Sequence, residues 1–232
     1  MKLTVVSKWK KAVEGELSKL GVRLERKRPD MVFCVGGDGT FLYGEILYPH
    51  IPKVLVYHRC SRCKRHDFSP LIEKLRKGQY RILEDLKIVG TVNSDPKKSL
   101  VGLNDMNIHY KLPCAIGLEV SVNGRPVSRN LGDGIIVSTP FGSSGYFSSI
   151  TRRTFKKGIG IAFNNPVKKE KHLVVPESSV IRAKVTKGSG HLASDCNKKI
   201  ITLKLGDVIE VKRFNRRARI VQLKGQGKKI VI

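Results

Sequence analysis

The sequence contains no run of about 18 consecutive apolar residues, the length that a membrane-spanning helix needs. Its beginning, MKLTVVSKWKKAVEGEL, also lacks the uninterrupted apolar segment of a secretory signal. From these two absences we expect a cytoplasmic protein with no membrane partner.

Cysteine is scarce and odd in number, with five residues in a chain of 232. An odd count without an export signal argues against a disulfide framework, so we expect reduced thiols. Cys34 lies in an apolar run and Cys114 follows Pro113, and we expect both to serve as small buried hydrophobic residues.

Acidic residues are few: 19 Asp and Glu stand against 45 Lys and Arg, a formal net charge of +26. Such an excess attracts polyanions, including nucleotides, polyphosphate and nucleic acids. Lysine- and arginine-rich surfaces are also ordinary in heat-adapted proteins, and glutamine is confined to positions 79, 222 and 226. Because only 6% of residues are aromatic, few side chains could stack on bases, and a nucleic-acid partner is an alternative that we do not favour.

The apolar pattern changes character near residue 85. Before it, short apolar runs alternate with helix-like spacing, as in Trp9, Val13 and Leu17, which favours a parallel sheet of the doubly wound kind. After it, apolar residues alternate in short runs, with Asn123-Gly124 as a hairpin signal. We therefore predict an α/β N-terminal domain over 1–85 and a β-rich C-terminal domain over 86–232.

Residues 32–44, VFCVGGDGTFLYG, place one carboxylate, Asp38, among three glycines between a predicted buried strand and a predicted helix. Main-chain N–H groups at a helix N-terminus favour phosphate oxygens, and glycine lets the backbone approach them closely. A carboxylate fits there if it holds a metal ion or takes a proton from an attacking hydroxyl, as in Mg²⁺-assisted phosphoryl transfer. The same five residues also fit a tight turn in which the aspartate caps the helix.

Three further polar stretches follow predicted strands or precede them. They are Asn104-Asp105 within GLNDMNIHY, the stretch DGIIVSTPFGSSGY over 133–146, and Asp195 within LASDCNKK. Hydroxyls and N–H groups on a tight turn suit sugar hydroxyls and phosphates, although each stretch alone is only a polar turn.

Taken in order, the four stretches resemble the NAD kinase family. Gly36-Gly37-Asp38-Gly39-Thr40 matches the family's signature loop, and Asn104-Asp105 stands where the family usually has Asn-Glu. Residues 133–146 look like its second signature, and 174–181 with Ser194-Asp195 resemble its late segments. The chain is thus identified as a divergent member of that family, of archaeal or thermophilic character.

The resemblance implies a kinase that transfers a phosphoryl group from ATP or polyphosphate to the 2′-hydroxyl of the adenosine ribose of NAD, with Mg²⁺ or another divalent cation. By the same resemblance Asp38 activates the hydroxyl, and Gly36, Gly37, Gly39 and Thr40 hold the phosphate donor. The resemblance also implies which residues line the dinucleotide site: Asn104, Asp105, Asp133, Ser144, Gly145 and Tyr146. The resemblance also implies a homo-oligomer.

One segment departs from the family pattern. The family has a glycine-rich stretch after its third strand, and this chain has Tyr57 to Phe68 in that place. This leaves open a related kinase with a different acceptor, or a non-catalytic basic nucleic-acid-binding protein on the same scaffold. The replaced segment carries His58, Cys60, Cys63 and His66, whose spacing makes them a weak zinc candidate, although we favour an ordinary basic loop with two thiols.

Overall fold

The computed structural model describes residues 1–57, 67–111, 114–225 and 229–231. Two compact units divide the chain: Met1–Asp85 with Ala218–Ile232, and Leu86–Arg217. The strands are β1 (Lys2–Ser7), β2 (Arg23–Leu24), β3 (Met31–Gly36), β4 (Lys53–Tyr57), β5 (Tyr80–Asp85), β6 (Ile88–Val92), β7 (Ser99–Gly102), β8 (Asp105–Tyr110), β9 (Ile116–Val122), β10 (Arg125–Gly132), β11 (Gly134–Ser138), β12 (Ile159–Asn164), β13 (Leu173–Val175), β14 (Ile181–Lys187), β15 (Gly190–Ser194), β16 (Ile201–Leu203), β17 (Val208–Arg213), β18 (Ala218–Leu223) and β19 (Lys229–Val231). The α-helices are α1 (Lys10–Lys19), α2 (Asp38–Leu47), α3 (Ser69–Arg76) and α4 (Tyr146–Thr151).

The first unit is built on one sheet with the order β2-β1-β3-β4-β18-β5, and β19 also pairs with β4. Strands β1, β3 and β4 pair in parallel, whereas β5 runs antiparallel to β18. Every residue of β3 is buried, as expected for a central parallel strand with an uninterrupted apolar sequence. The predicted alternation of strands and helices is thus present over 1–85, with β18 and β19 added from the C-terminal end.

The return of β18 to the first sheet differs from the predicted extent of the second domain, which ran through residue 232. Val221 and Leu223 of β18 pack in the same core cluster as Val54 and Val56 of β4. Burial of these apolar side chains explains why the strand joins the first sheet.

The second unit contains two antiparallel sheets, ordered β10-β9-β14-β17-β6-β7 and β13-β12-β11-β8-β15-β16. Apolar residues from both sheets form one core cluster, including Ile88, Leu118 and Ile209 from the first and Ile108 and Val137 from the second. On its other face the second sheet is covered by α4, where Phe147 packs with Ile136 and Ala162. The β-rich character predicted for this part of the chain is therefore present.

Two local predictions have different outcomes. Asn123 and Gly124 both have positive φ, 51° and 81°, and join the antiparallel strands β9 and β10, which confirms the hairpin. Cys34 is buried as expected, but the prediction for Cys114 is wrong because this thiol is exposed, as is Cys196.

Within the described residues, none of the helices combines the length and the apolar character needed to cross a membrane.

Candidate functional site

The glycine loop connects the end of a fully buried strand to the beginning of a helix. Strand β3 ends at Gly36, Gly37 is the N-cap residue, and α2 begins at Asp38. Gly36 has a φ of +155°, and a Cβ there would overlap the Thr40 hydroxyl, so a side chain at Gly36 would push the loop apart. A Cβ on Gly37 would meet no atom within 4 Å, which leaves the surroundings of this residue open.

The first turn of α2 is exposed at Asp38 and Gly39, whereas the helix is anchored by buried Phe41 and Leu42. The N–H groups of Thr40 and Phe41 both donate to the Gly37 carbonyl, at 3.0 and 3.3 Å. The positive end of the helix dipole lies at this turn and favours an anion. A solvent-accessible carboxylate thus stands at a position suited to phosphate.

A buried ion pair holds α2 against the sheet below the loop. Lys53 of β4 and Glu45 of α2 form a salt bridge, with side chains 0% and 6% exposed. Gly44 lies against Cys34, since a Cβ on Gly44 would come within 2.6 Å of the Cys34 sulfur. Burial raises the pKa of the Cys34 thiol to about 12, opposed by the charge of Lys53 and reinforced by that of Glu45.

In the second unit, one carboxylate organises the segment that carries Asn104 and Asp105. Asp195 accepts hydrogen bonds from three consecutive main-chain N–H groups: Leu103 at 2.6 Å, Asn104 at 2.8 Å and Asp105 at 3.1 Å. Asp195 follows β15 and has a φ of 45°. Two stretches that are about ninety residues apart in sequence therefore meet through these bonds.

The turn after β11 packs on the same segment. The Thr139 N–H donates to the Asn104 carbonyl at 2.8 Å, and the Thr139 hydroxyl donates to the Leu103 carbonyl. That hydroxyl also accepts from the Gly142 N–H at 3.2 Å. A Cβ on Gly142 would overlap the main chain of Asn104, so only glycine fits there without displacement.

Asp105 is the titratable group most altered in this region. Burial, and then the nearby negative charge of Asp195, raise the pKa of the Asp105 carboxyl to about 7. Burial, with the charges of Asp195 and Asp105, also raises the pKa of the Cys196 thiol. Near neutral pH Asp105 therefore exists both as a proton donor and as a carboxylate.

Ser144, Gly145 and Tyr146 are exposed and run from the last residue of a short 3₁₀ turn to the first residue of α4. The preceding Ser143 hydroxyl is part-buried and bonds the Pro140 carbonyl at 2.9 Å. The exposed residues 144–146 therefore follow directly after a turn that the Ser143 hydrogen bond holds in place.

Among the residues predicted to line the dinucleotide site, Asp133 lies apart from Asn104 and Asp105. Ser138 is opposite Asp105 and Gly134 is opposite His109, so Asp133 precedes the far end of β11. Five residue steps at about 3.4 Å separate Asp133 from Ser138 by roughly 17 Å. Asn164 connects Asp133 to Tyr146. Its carbonyl accepts a hydrogen bond from the Asp133 N–H at 3.0 Å, and its side-chain amide donates one to the Tyr146 hydroxyl at 3.0 Å.

The weak zinc candidate, His58, Cys60, Cys63 and His66, lies outside the described residues. In the part of the chain that the structure describes, no three His, Cys, Asp or Glu side chains are grouped so as to hold a metal ion.

Sequence reasoning gave no individual role to Thr139, Gly142 or Asn164. Thr139 and Gly142 lie in the 133–146 stretch, but their contacts with Leu103 and Asn104 depend on tertiary packing, which the sequence does not show. Asn164 ends a strand and gave no sequence signal for its bond to Tyr146.

Comparison with known proteins gives the chain a consistent set of relatives. Residues 103–223 match the family model for the ATP-NAD kinase C-terminal domain. An NAD kinase of Saccharolobus islandicus is 30% identical over 213 residues, covering 88% of this chain and 84% of the relative. An NAD kinase of Thermoplasma acidophilum is 27% identical over 221 residues, covering 90% and 79%.

Two solved structures share the fold. Yeast NADH kinase complexed with NADH superposes with a TM-score of 0.81 at 19% identity, covering 98% of this chain and 84% of that one. An NAD kinase from Archaeoglobus fulgidus in complex with ATP superposes with a TM-score of 0.74 at 21% identity, covering 98% and 95%.

Proposed function

The chain belongs to the NAD kinase family, and on that premise we propose that it phosphorylates NAD at the 2′-hydroxyl of the adenosine ribose, giving NADP. The observation that carries the proposal is the glycine loop. An exposed carboxylate, Asp38, stands in the first turn of α2, directly after the end of β3. We also assign the parallel strands and helices of the first unit to the doubly wound class.

In the proposed reaction Asp38 accepts the proton of the 2′-hydroxyl while that oxygen attacks the terminal phosphorus of the donor. The new bond joins the ribose oxygen to phosphorus, and the bond from phosphorus to the bridging oxygen breaks, releasing ADP when ATP is the donor. Asp38 then returns its proton to solvent. Positioning and charge neutralisation carry most of the catalysis in such transfers.

Gly36, Gly37, Gly39 and Thr40 are proposed to hold the donor phosphates. Exposure of Gly39 and the open surroundings of Gly37 support this role, because a phosphate must approach the main chain closely. The positive end of the α2 dipole at this turn also favours such an anion.

The acceptor dinucleotide is proposed to contact Asn104, Asp105, Ser144, Gly145 and Tyr146. Support comes from Thr139, which donates hydrogen bonds to the Leu103 and Asn104 carbonyls and accepts one from the Gly142 N–H in the turn that leads to Ser144. Asp133 is proposed to contact a more distant part of the same ligand, since hydrogen bonds connect it to Tyr146 through Asn164.

The exposed carboxylate of Asp38, together with the substrate phosphates, fits a Mg²⁺ ion. Magnesium in phosphoryl-transfer enzymes is usually held by one or two carboxylates together with substrate phosphates, rather than by an all-protein cage. Asp38 offers one exposed carboxylate at the start of α2, which suits that mode. When bound, the ion would neutralise charge on the donor phosphates.

We propose ATP as the donor, with polyphosphate as the alternative that the high positive charge also suits. The test is to supply purified protein with Mg²⁺ and NAD together with either ATP or polyphosphate, and to measure NADP with an NADP-specific dehydrogenase. NADP formation with ATP supports the proposal. If ATP is consumed with other acceptors and never with NAD, the acceptor is wrong.

A homo-oligomer is part of the proposal because the family resemblance implies it, and light scattering of the purified protein tests it. Binding to nucleic acid stays an unfavoured prediction. On strands β9, β10, β14 and β17, basic side chains pair with acidic ones: Arg129 pairs with Glu119, and both Arg182 and Lys212 pair with Glu210. Any phosphate-driven binding to nucleic acid must weaken steeply with salt, which a titration at two salt concentrations measures.

A further inference from the structure

Three backbone N–H groups converge on the carboxylate of one side chain in the second unit. Asp195 accepts from Leu103 through Oδ2 and from Asn104 and Asp105 through Oδ1. Hydrogen bonds to a charged acceptor are roughly twice as strong as neutral ones. The carboxylate therefore fixes the main chain of three consecutive residues at the start of β8.

The same segment is closely packed against its neighbours. A Cβ on Gly102 would lie 2.8 Å from the Asp105 carbonyl and 3.2 Å from the Asp195 Oδ1. From the other side, Thr139 bonds the carbonyls of Leu103 and Asn104. The N–H groups are thus held by Asp195 and two of the carbonyls by Thr139, so both edges of the segment are fixed.

We infer that Asp195 is a positioning residue of the acceptor site, which acts by holding the 103–105 segment so that Asn104 and Asp105 face the dinucleotide. This inference rests on the proposed function for the identity of the ligand. It goes beyond that function in assigning a role to a residue that carries none of the proposed substrate contacts.

An electrostatic consequence separates this role from plain structural support. The charge of Asp195 helps to raise the pKa of Asp105 to about 7, after burial. The pKa of the Cys196 thiol is also affected by this pair, and the residue opposite Asp105 on β11 is the uncharged Ser138. Removing the charge of Asp195 should therefore move the ionisation of Asp105 to lower pH.

Asp195→Asn is the variant that tests the inference, because asparagine tolerates the φ of 45° at this position and keeps the size of the side chain. Its amide retains one acceptor oxygen and places an NH₂ where the other oxygen accepts an N–H. The matched control is Asp207→Asn, in the same unit, where Asp207 accepts from the Lys204 N–H at 2.8 Å and from the Asn93 amide at 2.7 Å.

For Asp195→Asn we expect the KM for NAD to rise about 10-fold with kcat within about 3-fold, as for lost ground-state binding. The inflection of the pH profile that belongs to Asp105 should move to lower pH, and amide hydrogen exchange should accelerate at residues 103–105. Asp207→Asn should leave all three measurements at the wild-type values. An unchanged KM, an unmoved inflection or unchanged exchange at 103–105 overturns the inference.

If Asp195→Asn does not fold, Asp195→Glu keeps the charge with a longer reach. Exchange at 103–105 should then accelerate while the inflection stays near its wild-type position, and unchanged exchange would again overturn the inference. If wild-type protein makes no NADP, the proposed function fails by itself, and hydrogen exchange still decides whether Asp195 holds the segment.

Discussion

Lys53 and Glu45 form an ion pair inside the first unit, with side chains that are 0% and 6% exposed. The pair joins β4 to α2, the helix that begins at Asp38. Each charge is stable in the interior only while the other remains, because an uncompensated buried charge is costly.

Replacing one member, as in Glu45→Gln, should therefore lower the free energy of unfolding by about 3–5 kcal/mol. Denaturant titration measures the change. The matched control is Glu73→Gln, because Glu73 and Lys77 pair on the surface with side chains 63% and 60% exposed. This substitution should lower the free energy of unfolding by less than about 1 kcal/mol. Equal effects of the two variants would contradict the account.

Gly44→Ala should destabilise the first unit although alanine favours helices. The new Cβ would come within 2.6 Å of the buried Cys34 sulfur, and overpacking of this kind costs about 1–3 kcal/mol. A Cβ on Gly15 of α1 would meet no atom within 4 Å, so Gly15→Ala should instead stabilise by roughly 0.5–1 kcal/mol. Thermal unfolding of both variants checks the opposite signs, and a stabilised Gly44→Ala protein would refute the packing argument.

Asp105 should make the protein less stable as pH rises. Its carboxyl has an ordinary pKa of 3.8 in the unfolded chain and a pKa of about 7 when folded, so between these values the folded state holds a proton that the unfolded state has released. The contribution is full below about pH 4 and is lost as pH rises through about 7. Asp105→Asn should remove this part of the slope, which unfolding midpoints between pH 4 and 8 would measure. A slope equal to that of wild type would mean that Asp105 does not hold the proton.

Cys34 should be the slowest of the described thiols to react with a thiol reagent. It is fully buried and its pKa is about 12, so little reactive thiolate forms in the native state. Cys114 and Cys196 are exposed and should label first. Mass spectrometry of labelled peptides, with and without denaturant, follows each thiol separately, and rapid native labelling of Cys34 would contradict its burial.

The fold was readable from sequence where local signals were strong. Uninterrupted apolar residues in β3 and the Asn123-Gly124 turn predicted a buried strand and a hairpin, both of which are present. The sequence could not show which sheet β18 joins. Its apolar residues fit the core of either unit, and only long-range packing selects the sheet of the first unit. The exposure of Cys114 depends likewise on tertiary packing.

The candidate site was readable as a set of motifs but not as an arrangement. Asp38 stands at a helix start, as its glycine neighbours predicted. The three bonds to Asp195 and the overlap at Gly142 join segments far apart in sequence, so no local pattern could reveal them. The separation of Asp133 from Asp105 follows from strand register, which only the paired strands define.

The most direct measurement compares NADP formation by the wild-type protein, Asp38→Asn and Asp30→Asn, with ATP and Mg²⁺, alongside calorimetric binding of NAD to each. Asp30 is an exposed carboxylate of the same unit that accepts the Lys2 N–H at 2.7 Å, and it serves as the control. The account predicts that Asp38→Asn loses about 10²–10⁴-fold in kcat while NAD still binds, as for a lost general base, and that Asp30→Asn behaves as wild type. Undiminished turnover by Asp38→Asn would contradict the account.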